Sequence, residues 1–148
     1  MRNSTLARGI ATLAVCALGF AALGSAKNPV ERPFKIQGQY TLTITIDGTF
    51  EHEGFGQATH AGLFTSHASG IVGFPVDDGT ATAANGAQLF WESPGSTWYV
   101  EFTGGTDRFE HATGGFNVVS ETLIDYRANP DGSMSLTYTY TGVGTITY

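Results

Sequence analysis

The side chains of this 148-residue chain that could take or give a proton near neutral pH are its four histidines and a scatter of carboxylates. Glu51-His52-Glu53 sets an imidazole between two carboxylates in a strand-like stretch, so one parity of the three must face solvent. Glu53 shares parity with Phe55 and can point inward; Glu101 stands between Val100 and Phe102, on the face opposite Trp98. A carboxyl group turned into an apolar interior has its pKa raised by desolvation and becomes a usable general acid or base. His60 lies in Thr59-His60-Ala61-Gly62, where it can hydrogen-bond a neighbouring strand or line an opening. Glu53, His60 and Glu101 are therefore the candidate catalytic groups.

Other chemistries find no support. His52 and His60 share parity, but eight residues of strand separate them by roughly 26 Å, too far to grip one ion. His60 and His67 have opposite parity, and there is no His-x-His pair, so no metal site is expected. No nucleophile elbow, phosphate loop or dinucleotide fingerprint occurs, and no cofactor is expected.

The N-terminus reads as a targeting segment. Arg2 and Arg8 precede an apolar run from Gly9 to Leu23, and Gly24-Ser25-Ala26 offers the small residues at which a signal peptidase cuts. The run is about 15 residues, short of the roughly 20 that a spanning helix needs. Residues 1–26 are thus expected to be a signal peptide, and the product to be periplasmic or secreted with no membrane segment after cleavage. The one cysteine, Cys16, lies inside that run, so the mature chain would have neither a disulfide nor a thiol nucleophile. With 13 acids against 7 bases, the net charge of −6 disfavours nucleic acid as a partner.

The elements that must position these groups are strands. Residues 27–37 hold Pro29, Pro33 and several charges and read as an extended N-terminal arm; residues 38–148 form one domain. Tyr40 to Ile46 alternates strictly, with Tyr40, Leu42, Ile44 and Ile46 on one face. The C-terminus repeats the pattern, with Leu136, Tyr138 and Tyr140 opposed by threonines. Turn signals stand at Asp47-Gly48, Asp78-Gly79, Asn85-Gly86, Pro94-Gly95 and Asn129-Pro130-Asp131-Gly132. Ser120 to Arg127 is read as strand rather than helix. Seven or eight short-connected strands predict an all-β, antiparallel closed barrel or a sandwich, and glycines inside strands favour the barrel.

Gly104-Gly105-Thr106-Asp107-Arg108-Phe109-Glu110-His111-Ala112-Thr113-Gly114-Gly115 is a glycine-framed corner with one apolar anchor, Phe109. A lone aromatic among charges is best explained by packing inward, which predicts that Phe109 plugs one end of the barrel, with Gly104, Gly105 and Gly114 shaping the turn. The corner resembles that of the allene oxide cyclase and dirigent proteins, with Gly104, Gly105, Thr106, Phe109, Ala112 and Gly114 matching. Asp107 stands where those proteins usually have glycine; aspartate is among the few residues that tolerate the left-handed region. Thr59-His60-Ala61-Gly62 and Thr82 to Leu89 are similar to segments of bacterial members of that group. The resemblance implies an eight-stranded, calycin-like barrel with an apolar interior, often oligomeric, working without cofactors.

Tyr40, Trp98, Phe102, Phe116, Tyr138 and Tyr140 fall on the expected inner faces. An eight-stranded barrel is just wide enough to be filled by side chains or to hold one small ligand, so these residues are either core or ligand-binding. The leading expectation is a barrel that binds a small apolar or aromatic molecule. The alternatives are a cofactor-free isomerase or cyclase using Glu53, His60 or Glu101, and an interaction module acting through its outer face. Val119 and Leu123 oppose Phe116 and Ile124 in parity, so that strand is apolar on both faces. Cover by a partner or by the N-terminal arm, and a homo-oligomer, are expected from this.

Overall fold

A computed structural model of the chain describes residues 29–73, 76–94 and 97–148. The expected signal peptide and the first two residues of the expected arm lie outside these. Eight antiparallel strands close into a barrel in simple sequence order: β1 (Glu31–Ile44), β2 (Thr49–Ala58), β3 (Gly62–Ile71), β4 (Val76–Ala83), β5 (Gln88–Pro94), β6 (Tyr99–Gly105), β7 (Thr113–Ala128) and β8 (Met134–Thr147). Each strand pairs with its neighbour in sequence, and β1 pairs with β8 to complete the ring. Closure leaves the barrel without a continuous open edge.

Residues 31–37 are not a separate arm. They form the first half of β1, in unbroken register with β8 from Glu31↔Thr147 to Ile44↔Met134. Phe34, within this stretch, is one of the most buried side chains of the protein. Pro33 is tolerated because β2 pairs with β1 only from Ile36 onward, so its missing N–H interrupts no ladder on that side. Asp78-Gly79 is not a turn either, but lies within β4, paired with Glu92 and Trp91. The missing side chain of Gly79 is filled by the Trp91 indole, which lies against it. A small residue inside a strand thus marked a close approach rather than a reversal. Ser120 to Arg127 is strand, inside β7.

The barrel is uneven. β1, β7 and β8 run 14, 16 and 14 residues, whereas β4, β5 and β6 run 8, 7 and 7. The β6–β7 pairing covers only Tyr99–Glu101 against Gly115–Asn117. One wall therefore stands taller than the other.

The lower end is closed by the β2–β3 and β4–β5 turns, the β6–β7 connection and the start of β1. Phe34, Leu89, Phe102, Phe109, Phe116 and Ile146 form one buried cluster there. Phe34 meets Phe102 edge-on at 4.9 Å and Phe116 at 5.9 Å between ring centroids. Full burial of side chains of this size stabilises the fold by about 1.5–3 kcal/mol each. Within the β6–β7 connection, a single 3-10 turn over Asp107–Phe109 carries Phe109 inward, where it is 1% exposed and meets Tyr148 edge-on. Asp107 has φ 53°, in the left-handed region, and Gly104 and Gly114 have φ 133° and 105°. At Gly114 a side chain would also strike the Thr145 carbonyl across the β7–β8 ladder, so glycine is required twice over.

Candidate functional site

Above this floor the barrel is hollow. A cavity of about 570 Å³ occupies its upper half, within the range of pockets that enclose small organic molecules. Its floor is Phe34, Phe64, Leu89, Phe102 and Phe116, and its mouth is bordered by Val72, Gly73, Thr97 and Trp98 on the low side of the barrel.

Between floor and mouth runs a belt of polar and aromatic side chains. Tyr40 on β1 stacks on His52 of β2, with ring centroids 4.6 Å apart, and on Tyr138 of β8 at 5.2 Å. Tyr140 meets Tyr40 edge-on at 5.8 Å. Around the other side the register runs His52↔Ala68↔Gly79↔Trp91 across β2 to β5. The small Ala68 and Gly79 in this row let the Trp91 indole reach within 5.8 Å of the His52 ring.

The Tyr40 hydroxyl donates to Glu121 Oε1 at 2.5 Å. Burial, then the hydrogen bond to Glu121, raises the Tyr40 phenol above its ordinary value, so it remains a protonated donor. Burial pushes the Tyr140 phenol up to about 12. His52 is pushed down to about 4, by burial first and then by nearby His67, so at neutral pH it is an uncharged imidazole. Its Nε2 lies 3.2 Å from Ser66 Oγ. Near the mouth, Asp77 also lines the cavity, and its carboxyl is raised by desolvation and then by the neighbouring Asp78. Among the described residues no fully buried side-chain polar atom lacks a hydrogen-bond partner.

The sequence-derived candidates divide sharply. Tyr40, Phe102, Phe116 and Tyr140 line the cavity, and Trp98 borders its mouth while remaining 61% exposed. Tyr138 is not among the residues that line it; it stands opposite Tyr40 in the β1–β8 register and stacks on its ring. Glu53 and Glu101 face solvent. Glu53 does share parity with Phe55, but that parity is the outer one, because Phe50, His52 and Ala58 take the inner face of β2. His60 is a turn residue at the closed end, with φ 71°. Its Nε2 lies 3.1 Å from the Pro33 carbonyl and its ring meets Tyr148, far from the belt in the fold. None of the three expected catalytic groups reaches the cavity.

Parity reasoning missed Glu121 for a definite reason. Phe116 and Val118 point inward, and simple alternation continues to Ser120. The β7–β8 register shifts between Val118 and Ser120, leaving Val119 as the extra residue of a bulge. That added residue exchanges the faces of the stretch that follows, so Glu121, opposite Tyr140, turns inward, until a second register shift between Leu123 and Asp125 restores the original parity. His52 was in view from sequence only as a metal ligand. The signal that could have placed it was its company with Phe50 on one parity of β2.

Val119, Leu123, Ile124 and Tyr126 on upper β7 are exposed, and no described part of the chain covers them. Among the described residues no three His, Cys, Asp or Glu side chains converge to hold a metal ion. Comparison with protein-family models, with curated proteins and with solved structures gives no match to this chain.

Proposed function

We propose that this protein is an exported carrier or receptor for a small apolar or aromatic molecule, held inside the barrel. The observation that carries the reading is the cavity of about 570 Å³ over an aromatic floor. Side chains could have filled an eight-stranded barrel of this size, and here they do not. Export rests on the Arg-flanked apolar run and the small residues before Lys27. The Gly104–Gly115 corner supports placing the chain near the allene oxide cyclase and dirigent proteins, whose barrels handle small apolar molecules. No catalytic step is assigned, because Glu53, His60 and Glu101 lie outside the cavity.

Native mass spectrometry of protein purified from its own source tests this directly: a mass increment matching one small molecule per chain is expected, lost on unfolding. Trp91 provides a second readout, since its indole lines the cavity and its emission should change when a ligand enters. A protein that carries no small molecule, and whose tryptophan emission is unmoved by a broad panel of aromatic compounds, overturns the reading.

A further inference from the structure

The polar belt is one-sided in its charge. Among the described residues, the two acidic side chains that line the cavity are Glu121 and Asp77, and no lysine or arginine lines it. His52, the one imidazole there, is uncharged at neutral pH. The sequence holds no Lys, Arg or His anywhere from Val72 to Trp98, the span that includes β4 and β5. Among the described residues the Tyr40 hydroxyl is the one donor to the Glu121 carboxylate, and it engages Oε1, leaving Oε2 without a donor. Tyr140 stands opposite Glu121 in the β7–β8 register, and Trp91 lines the same cavity beside His52.

We infer that the cavity selects organic cations, amphiphiles with an apolar or aromatic body and an ammonium head, over molecules that end in a carboxylate. The inference rests on the proposed reading of the barrel as a small-molecule binder. The body lies on the floor of Phe34, Phe64, Phe102 and Phe116. The ammonium N–H groups donate to Glu121, a charge-assisted bond that a neutral head makes less well. The faces of Tyr140 and Trp91, which line the same cavity, attract a cation through their quadrupoles, most strongly where water is excluded. A carboxylate head has the opposite fate. It loses its hydration, meets no cation and lies near two groups of its own sign. The negative mouth adds a kinetic preference of the same sign, drawing cations toward the opening and repelling anions.

Three probes with one naphthalene body and different heads test this: 1-naphthylmethylammonium, 1-naphthylmethanol and 1-naphthylacetate, titrated calorimetrically into the purified protein near neutral pH. The ammonium is expected to bind about tenfold or more tighter than the acetate, with the alcohol between them. In Glu121→Gln the ammonium-to-alcohol ratio should fall by about tenfold, the alcohol serving as the internal reference for an intact cavity. Asp77→Asn should lower the same ratio by a smaller factor. If Glu121→Gln fails to fold, the wild-type comparison and Asp77→Asn decide the matter. Equal binding of all three probes, or tighter binding of the acetate, overturns the cation preference and leaves the small-molecule reading standing. Binding of none of them at millimolar concentration overturns the cation preference and counts against the small-molecule reading itself.

Discussion

Phe109 and Trp98 are both aromatic residues set in connections between barrel strands, and their surroundings are opposite. Phe109 is 1% exposed, carried by the 3-10 turn into a cluster with Phe34, Phe116 and Ile146; Trp98 is 61% exposed at the rim of an empty space. The corner around Phe109 can fold inward because Gly104, Asp107 and Gly114 accept positive φ, which brings the chain across the end of the barrel. Trp98 itself stays outward, and β4, β5 and β6 on that side of the barrel are short. The contrast assigns different tasks to the two halves. The lower half holds the barrel together by close packing; among the described residues the upper half keeps side chains apart around the cavity.

The substitution with the largest expected effect attacks the closed end. Phe109→Ala empties a fully buried aromatic site and should cost about 3–5 kcal/mol, read as a lowered unfolding midpoint in urea or on heating. A midpoint within a degree or two of wild type would mean that the corner is not what closes the barrel.

Next in size is an effect of pH on the open end. The His52 imidazole titrates near 4 in the folded protein and near its ordinary 6.5 when unfolded. Between those values the unfolded chain binds more protons than the folded one. The contribution of His52 is therefore fully present above pH 6.5 and is lost as the pH falls toward 4, a change on the order of 3 kcal/mol. Carboxylates titrate over part of the same range, so the test is the difference between wild type and His52→Gln. That difference, from urea unfolding, should shift steadily in favour of the variant as the pH is lowered. A constant difference would place His52 in water.

A matched pair of substitutions sharpens the comparison further. Ala112 is almost wholly buried at the closed end, whereas Ala81 is half-buried on the cavity wall. Ala112→Leu overpacks a filled region and should cost about 1–3 kcal/mol. Ala81→Leu enters empty space and should change stability by less than about 1 kcal/mol while weakening probe binding. Equal costs at both sites would show that the upper half is as tightly packed as the lower.

Smallest of all should be Leu123→Thr on the exposed part of β7, within about 0.5 kcal/mol in the isolated chain. A larger loss that grows on dilution would show that a second copy covers this face.

The alternation of Tyr40 to Ile46 and of the C-terminal strand, the turn at Asp47-Gly48 and the glycine corner were enough to read an all-β closed barrel from the residues. So was the inward packing of Phe109, because an isolated aromatic among charged neighbours has one favourable place to go. These features are local: they depend on period, turn chemistry and the company each residue keeps within a few positions. The interior was not local. Alternation sorts a strand into two faces without saying which is inside, so Glu53 and Glu101 could be proposed for a cavity that His52 in fact occupies. One inserted residue, Val119, reverses the faces of β7 as far as the second register shift after Leu123 and brings Glu121 against Tyr40, and no pattern within β7 announces that bulge. Gly79 looked like a turn because the ring that fills its place, Trp91, comes from the next strand. Whether the barrel is full or hollow depends on the summed volumes of side chains from all eight strands, and that sum exists only once the strands have closed into a ring.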